Sequence, residues 1–295
     1  MRQSAGRRFI KGVGIYIAVL LLVCWTLIPI LWMAYSSVVD KAELLNSGPL
    51  ALPKNLTFER YEQIFDSFAK VLSGGRISSK SEVFSRALIN SVMVTLSTTA
   101  LALFIGGMAA YAFARLAFKG KQFMLMLAMF IQLLPTVALI VPLYQMVKAS
   151  GLIDKLPVLV VLYLSNVLAY TIWVFNGYYQ SIPRDLESAA RIDGCTHFDA
   201  FVRVVIPLAK PGFVAVGSLV FLMCWDELLY AMVFMNSKST KTFTVAMSEF
   251  SDKFAGMDYP LLMTGGVLVT IIPMMLALFF QRHIVMGLTA GGVKS

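Results

Sequence analysis

Six stretches of this chain are each long and apolar enough to cross a bilayer, and that limits the fold more than any other feature. They run from Gly12 to Tyr35, Ala87 to Leu116, Phe123 to Val147, Val158 to Tyr179, Phe213 to Met235 and Leu261 to Phe280. Crossing the hydrocarbon core takes about 20 residues of helix. No water is there to satisfy an unpaired N–H or C=O, so a spanning segment must pair its own backbone. The short alternating strands of a membrane barrel do not occur in the sequence. The expected class is an all-α membrane protein with six transmembrane helices, multi-pass and in contact with lipid.

Charge placement orients the spans. The net charge is +9. Arg2, Arg7, Arg8 and Lys11 precede the first span. Arg115, Lys119 and Lys121 occupy the short second loop with no acid among them. Arg184, Arg191, Arg203 and Lys210 follow the fourth span, and Arg282 and Lys294 follow the sixth. Positive loops stay inside, so these segments, and both termini, read as cytoplasmic. The loop from Val39 to Arg86, and most of Asn236 to Pro260, balance bases against acids and fit the far side. The basic balance is topological and does not point to nucleic acid. Gly6 to Lys11 is similar to a twin-arginine signal. The long apolar run behind it has no small-residue cleavage site, and it reads as an uncleaved span.

The residues from Arg184 to Pro211 break the apolar pattern. Asp185 and Glu187 suit the positive end of a helix that starts after Pro183. Leu186, Ala189 and Ala190 share one face of it. Gly194 gives the freedom to stop and turn. Thr196 and Asp199 form the spacing of a capping box that opens a second helix. Phe198, Phe201, Val202 and Val205 make its apolar stripe, and Pro207 ends it. The product is two short helices joined at a glycine. An amphipathic connector is the plainer alternative, but it needs neither the Asp-Gly hinge nor the capping box.

This pattern resembles the cytoplasmic coupling loop of binding-protein-dependent ABC importer permeases. The family motif is a Glu-Ala-Ala core, Asp-Gly three residues later, then an apolar helix ending in Leu-Pro-Leu or similar. Ala189, Ala190, Asp193, Gly194, Ile206, Pro207 and Leu208 match it. Ser188 stands where the core usually has Glu, while Glu187 matches an acidic position common in the family. The resemblance extends over nearly the whole chain, most clearly from Ala87 onward, and is to the maltose-type sugar permeases. It implies a type I importer bundle: a first helix and long extracytoplasmic loop over 1–86, a core of five helices over 87–281 with the coupling loop at 184–211, and a cytoplasmic tail over 282–295. It also implies a second homologous permease subunit, an ATPase subunit dimer that binds ATP and Mg, an extracytoplasmic solute-binding protein, and an oligosaccharide or sugar derivative as cargo. Glu187, Ser188, Ala189, Ala190, Asp193, Gly194, Phe198, Phe201 and Pro207 would then form the ATPase-coupling surface. The tail from Gly287 is too Gly-rich for a helix and would reach towards the ATPase pair.

Few other residues suggest chemistry. Asp226 and Glu227 are the acids placed near the middle of a span, where a charge costs about 2.5–3.5 kcal/mol or more. With Trp225 and Tyr230 they could line a translocation pathway, aromatic faces stacking on sugar rings and carboxylates accepting from hydroxyls. A structural ion pair with the second permease is the equal alternative. Asn166, Tyr170 and Trp173 share one face of the fourth span, and the first two lie deep enough for the same pathway. Asn90 fits a helix cap or a polar bundle contact. Gly106, Gly107, Ala110 and Ala114 form a small-residue face for close helix packing. Pro29, Pro135, Pro142 and Pro273 favour kinks. In the first outward loop, Phe58 to Phe65 has the spacing of a small lateral helix.

Cys24, Cys195 and Cys224 lie in separate segments without a paired spacing, and His197 and His283 are isolated, so no metal site or redox pair is expected. Without a phosphate loop the chain is not expected to hydrolyse ATP. An ion-gradient-driven secondary transporter stays open as the alternative function, although it would want ionisable relays or paired half-repeats across several spans.

Overall fold

The computed structural model describes residues 5–46, 56–252 and 256–290 of the chain. The apolar stretches are helical. Helix α1 (Ala5–Val38) leads into α2 (Lys41–Asn46) and α3 (Glu59–Leu72). The lateral helix expected near Phe58 is α3, one and a half turns longer than its sequence signal. It bridges the ends of two spans. Tyr61 Oη and Ser37 Oγ of α1 share a 2.7 Å hydrogen bond. Ser85 Oγ of the next helix donates to the Ile64 carbonyl at 3.2 Å, and Lys70 pairs with Glu82.

Ser79 opens α4 (Lys80–Leu101) with a capping box. Glu82 N–H donates to Ser79 Oγ at 3.2 Å, and Ser79 N–H to Glu82 Oε2 at 2.9 Å. A π-helical turn, Ala102–Gly106, joins α4 to α5 (Gly107–Arg115), so the second span is continuous from Lys80 to Arg115, 36 residues. Its small-residue face is where neighbours come closest. A Cβ on Gly106 would sit 2.6 Å from Thr171 Cγ2, and Ala110 and Ala114 are buried.

The span expected over 123–147, with kinks favoured at Pro135 and Pro142, is broken at the first of them. It is two helices, α6 (Lys121–Ile131) and α7 (Thr136–Ala149), meeting at 92°. Pro135 is the N-cap of α7. A proline at this place has no N–H to continue the preceding helix. Gln132 Nε2 turns outward from the break to the Asn166 carbonyl at 2.8 Å. After α8 (Leu156–Ser181) come α9 (Arg184–Ile192), α10 (His197–Ala200), a π turn at Phe201–Val205, and α11 (Ile206–Leu208). Then α12 (Lys210–Trp225) leaves at 76° to the helical segment before it. Two short helices, α13 (Leu229–Phe234) and α14 (Phe243–Ser248), precede a two-residue antiparallel strand pair, Ser251–Asp252 with Gly256–Met257. Helix α15 (Tyr259–Ala290) closes the described chain.

By length and composition four helices can cross a membrane: Gly12–Val38, Lys80–Arg115, Leu156–Ser181 and Tyr259–Arg282. The number rises to as many as six if each bent pair forms one span. The expectation that the tail from Gly287 is non-helical is corrected as far as Ala290, because α15 runs through it. One glycine inside a helix costs only about 1 kcal/mol, which does not stop propagation. Residues 291–295 of that tail lie outside the described residues.

The packed centre is formed by α4–α5 against α8 and α12, with α15 on the far side of α12 and α1 outermost on α15. The most apolar window of α1 is wholly unburied, and neither α6 nor α7 buries a residue. In water such faces would be a fault; facing hydrocarbon or another apolar subunit they are the expected surface.

Candidate functional site

The 184–211 segment lies at the end of the bundle where α5 and α8 finish. Helix α9 ends in a Schellman motif. Cys195 N–H donates to the Ala190 carbonyl at 3.0 Å and Gly194 N–H to the Arg191 carbonyl at 3.1 Å. Gly194 holds φ at +94°, in the left-handed region that disfavours a side chain. The capping box of α10 forms as its spacing predicts. Asp199 N–H donates to Thr196 Oγ1 at 3.1 Å, and Thr196 N–H returns to Asp199 Oδ2 at 3.2 Å. The Thr196 hydroxyl and then its N–H, both donating to Asp199, hold this carboxyl below its ordinary range.

Helix α9 is amphipathic the wrong way round for a helix lying on its own protein. Glu187 is the residue it buries. Leu186 is 45% exposed and Ile192 86%, with Ser188, Ala189, Asp193 and Gly194 also exposed and Ala190 half-buried. The stripe of the following helix is split. Phe201 and Val205 are buried, while Phe198 and Val202 are exposed. The π turn sets this division, because its wider winding shifts the faces on either side. Leu186, Ile192 and Phe198 are thus apolar side chains left exposed on the two short helices. Ile192 escaped the sequence reading, since it ends α9 just before the Asp-Gly hinge. Pro207 lies one residue before the end of the helical segment His197–Leu208, which runs through the π turn without a break.

Glu187 corrects the expectation that it faces outward. Its Oε1 is 2.5 Å from Arg115 Nε, with the two side chains only 11% and 6% exposed. Tyr111 Oη donates to its Oε2 at 2.9 Å. Arg115 Nη2 also donates to the Ile182 carbonyl at 2.8 Å, and Arg184 Nη2 to the Ala114 carbonyl at 3.3 Å. The Tyr111 ring lies 4.5 Å from Phe201 and 6.3 Å, edge-on, from Tyr179. In the sequence Arg115 registers only as a topological charge. Its spacing of four from Tyr111, on one helical face, is the signal that could have found the pair.

The second patch is not at the middle of a helix. Helix α12 ends at Trp225, and Asp226 to Leu228 form an irregular break before α13. Glu227 caps α13, its Oε1 accepting from Tyr230 N–H at 2.9 Å and its Oε2 from Ala231 N–H at 3.3 Å. The break thereby gives the carboxylate the backbone donors that a spanning helix withholds. Asp226 is exposed. Trp225 and Tyr230, expected to line a pathway, are core residues instead. Trp225 is 2% exposed and stacks on Phe221 and Phe243; Tyr230 is 3% exposed beside Tyr163 and Phe234. Their indole and phenol bodies fill the space behind the break, where apolar area is worth most. Asn166 is exposed, Tyr170 half-buried and Trp173 exposed, so that face of α8 is open in this chain.

At the opposite end of the bundle, Asn90 is fully buried as a polar bundle contact. Its Nδ2 donates to the Ser239 and Lys241 carbonyls at 2.8 and 2.9 Å. Asp154, at φ +67°, accepts from Asn236 N–H at 2.9 Å, from Ser237 N–H at 3.1 Å and from the Thr240 hydroxyl. Burial pushes this carboxyl up, but the donors from Thr240, Ser237 and Asn236 outweigh it and hold it below its ordinary range.

Known proteins are similar to this chain. The chain is 37% identical over 276 residues, 93% of it and 94% of the relative, to the trehalose transport system permease protein SugB of Mycobacterium tuberculosis. It is 34% identical over 280 residues, 95% of it and 93% of the relative, to the sulfoquinovosyl glycerol transport system permease protein SmoH of Agrobacterium fabrum. Its fold matches, with a TM-score of 0.76 at 20% identity over 96% of this chain and 98% of the other, a chain of a bacterial ABC transporter involved in import of the acidic polysaccharide alginate. Residues 102–289, which include both candidate patches, match the model of the binding-protein-dependent transport system inner membrane component. The chain therefore belongs to that family and is a multi-pass inner-membrane permease of the sugar ABC importer type.

Proposed function

We propose that this chain is one membrane subunit of an ATP-driven importer that brings an oligosaccharide or related sugar derivative into the cytoplasm. Six spans with both termini inside would place the 184–211 segment on the cytoplasmic face. There a pair of ATPase subunits would bind ATP and Mg and dock on α9 and α10, while a second permease subunit would complete the pathway. A solute-binding protein would deliver cargo from outside. The transport names of the relatives support the sugar class. The observation that carries the coupling role is the inverted face of α9, a buried glutamate beneath exposed Leu186 and Ile192. Exposed apolar side chains on a polar, base-rich loop are the mark of a docking surface. Asp226, Glu227 and the Asn166–Tyr170 face remain the proposed pathway-facing groups, with Trp225 and Tyr230 supporting them from behind.

Purification of the chain from its native membrane in gentle detergent, with companions identified by mass, tests this reading. An ATPase pair and a second permease are expected. Ile192→Asp should reduce the recovered ATPase strongly, since an interface anchor is worth about 2 kcal/mol or more. A chain recovered alone and stable, with uptake that survives ATP depletion, would overturn the importer reading in favour of ion-driven transport.

A further inference from the structure

Glu187 is the buried acid of a loop whose neighbours are exposed, and the two groups that meet it both come from one helix. Arg115 and Tyr111 belong to α5, and Tyr111 also leans on Phe201 of the π turn and on Tyr179 of α8. Arg115 in addition donates to the carbonyl of Ile182, the C-cap of α8, and Arg184 of α9 reaches back to Ala114. An ion pair removed from water is weak evidence for stability, because desolvation offsets the attraction and an apolar pair often does as well. Its more general use is to fix one geometry. Each partner here has a single place in which its charge is met, so sliding of α9 along α5 leaves a carboxylate unpaired.

We infer that Arg115, Glu187 and Tyr111 are positioning residues that lock the coupling helices to the ends of α5 and α8, so that this end of the molecule moves as one body. The inference rests on the importer reading, in which α9 is where force enters. Without the lock, movement of a docked ATPase would be absorbed by α9 rocking on its short connection, Ile182–Pro183. With it, movement passes directly into the second and fourth spans. None of the three residues needs to touch the ATPase or the cargo for this.

The test uses the assembled complex, purified with its ATPase companions and carrying spin labels at Leu116 and Asp185 in place of the native cysteines. The label-to-label distance is read without nucleotide and with ATP bound. In the otherwise unaltered chain one narrow distance is expected in both states. In Glu187→Gln the distance should broaden or split between them, and Glu187→Asp, which keeps a carboxylate, should recover the narrow distance. If Glu187→Gln does not assemble, Tyr111→Phe decides. It removes one donor to the carboxylate and leaves the ring against Phe201 and Tyr179, and it should broaden the distance in the same way. A native distance that changes on ATP binding overturns the inference. So does a variant, Tyr111→Phe included, that keeps the native distance in both states. A complex that brings no ATPase with it fails earlier, and counts against the importer reading itself.

Discussion

Gly194 and Asp154 show how strictly single residues are specified. Gly194 has open space around it but a backbone at φ +94°, so a methyl group there meets strain and no clash. Gly194→Ala should cost about 1–2 kcal/mol, and Gly194→Asn less, because asparagine tolerates the left-handed region. The ranking is readable from thermal unfolding of the purified complex. Asp154 is held below its ordinary range, so its contribution is complete above the unfolded carboxyl pKa, about 3.9, and is lost as pH falls through the lower folded value. Amide exchange at Asn236 and Ser237 should stay protected from neutral pH down past the ordinary carboxyl range and then open. In Asp154→Asn, exchange should be faster throughout and lack that step. Gly194 and the Thr196–Asp199 cap were legible because their partners lie within a few positions. The Glu187–Tyr111 bond spans 76 positions, and no local pattern reports it.

At the scale of elements, the contact between the second and fourth spans is set by one missing side chain. A Cβ at Gly106 would meet Thr171 Cγ2, and Thr171 Oγ1 already donates to the Val167 carbonyl at 2.8 Å, which fixes its rotamer. Gly106→Ala should destabilise by about 1–3 kcal/mol through overpacking. Thr171→Ser removes the methyl, keeps the hydroxyl, and should restore most of the loss. The double variant unfolding no better than Gly106→Ala alone would place the strain elsewhere. The small-residue face was legible from composition at helical spacing. The break at Gln132–Pro135 was legible only as a proline. Its 92° angle depends on where α7 lands and on the Gln132 contact with α8, neither of which a periodicity contains. Trp225 and Tyr230 were misplaced because an aromatic residue beside an acid looks alike in a pathway and in a core.

The whole molecule has two ends of different character. One holds the exposed apolar side chains of α9 and α10 and the Arg115–Glu187 pair; the other holds Asp154, Asn90 and the 236–241 segment. With both bent pairs crossing the membrane, a thiol-reactive probe that cannot cross it should label cysteines at Lys119 and Ser188 only from the cytoplasm. Cysteines at Gly151 and Lys238 should react only from outside. Labelling of Lys119 and Lys238 from the same side would mean that a bent pair re-enters rather than spans. The class of the protein was legible because lipid leaves the backbone few choices. Its shape was less so, since an apolar stretch says that a segment is in the membrane and nothing about which neighbour it meets there.

The π turn at Ala102–Gly106 has a further meaning for the second span. Such a turn carries one residue more than an α-helical register allows, and one residue in an α-helix is about 100° of rotation. The turn therefore acts as a phase adjuster between the two halves of the span. If the same residues wound evenly as α-helix, everything beyond would swing about a quarter-turn, carrying Tyr111 and Arg115 off the side that meets Glu187. Length in this span is consequently a matter of azimuth as much as of membrane thickness: a single-residue deletion within the turn should be tolerated, whereas one in α5 between the turn and Tyr111 should turn Tyr111 and Arg115 away from Glu187.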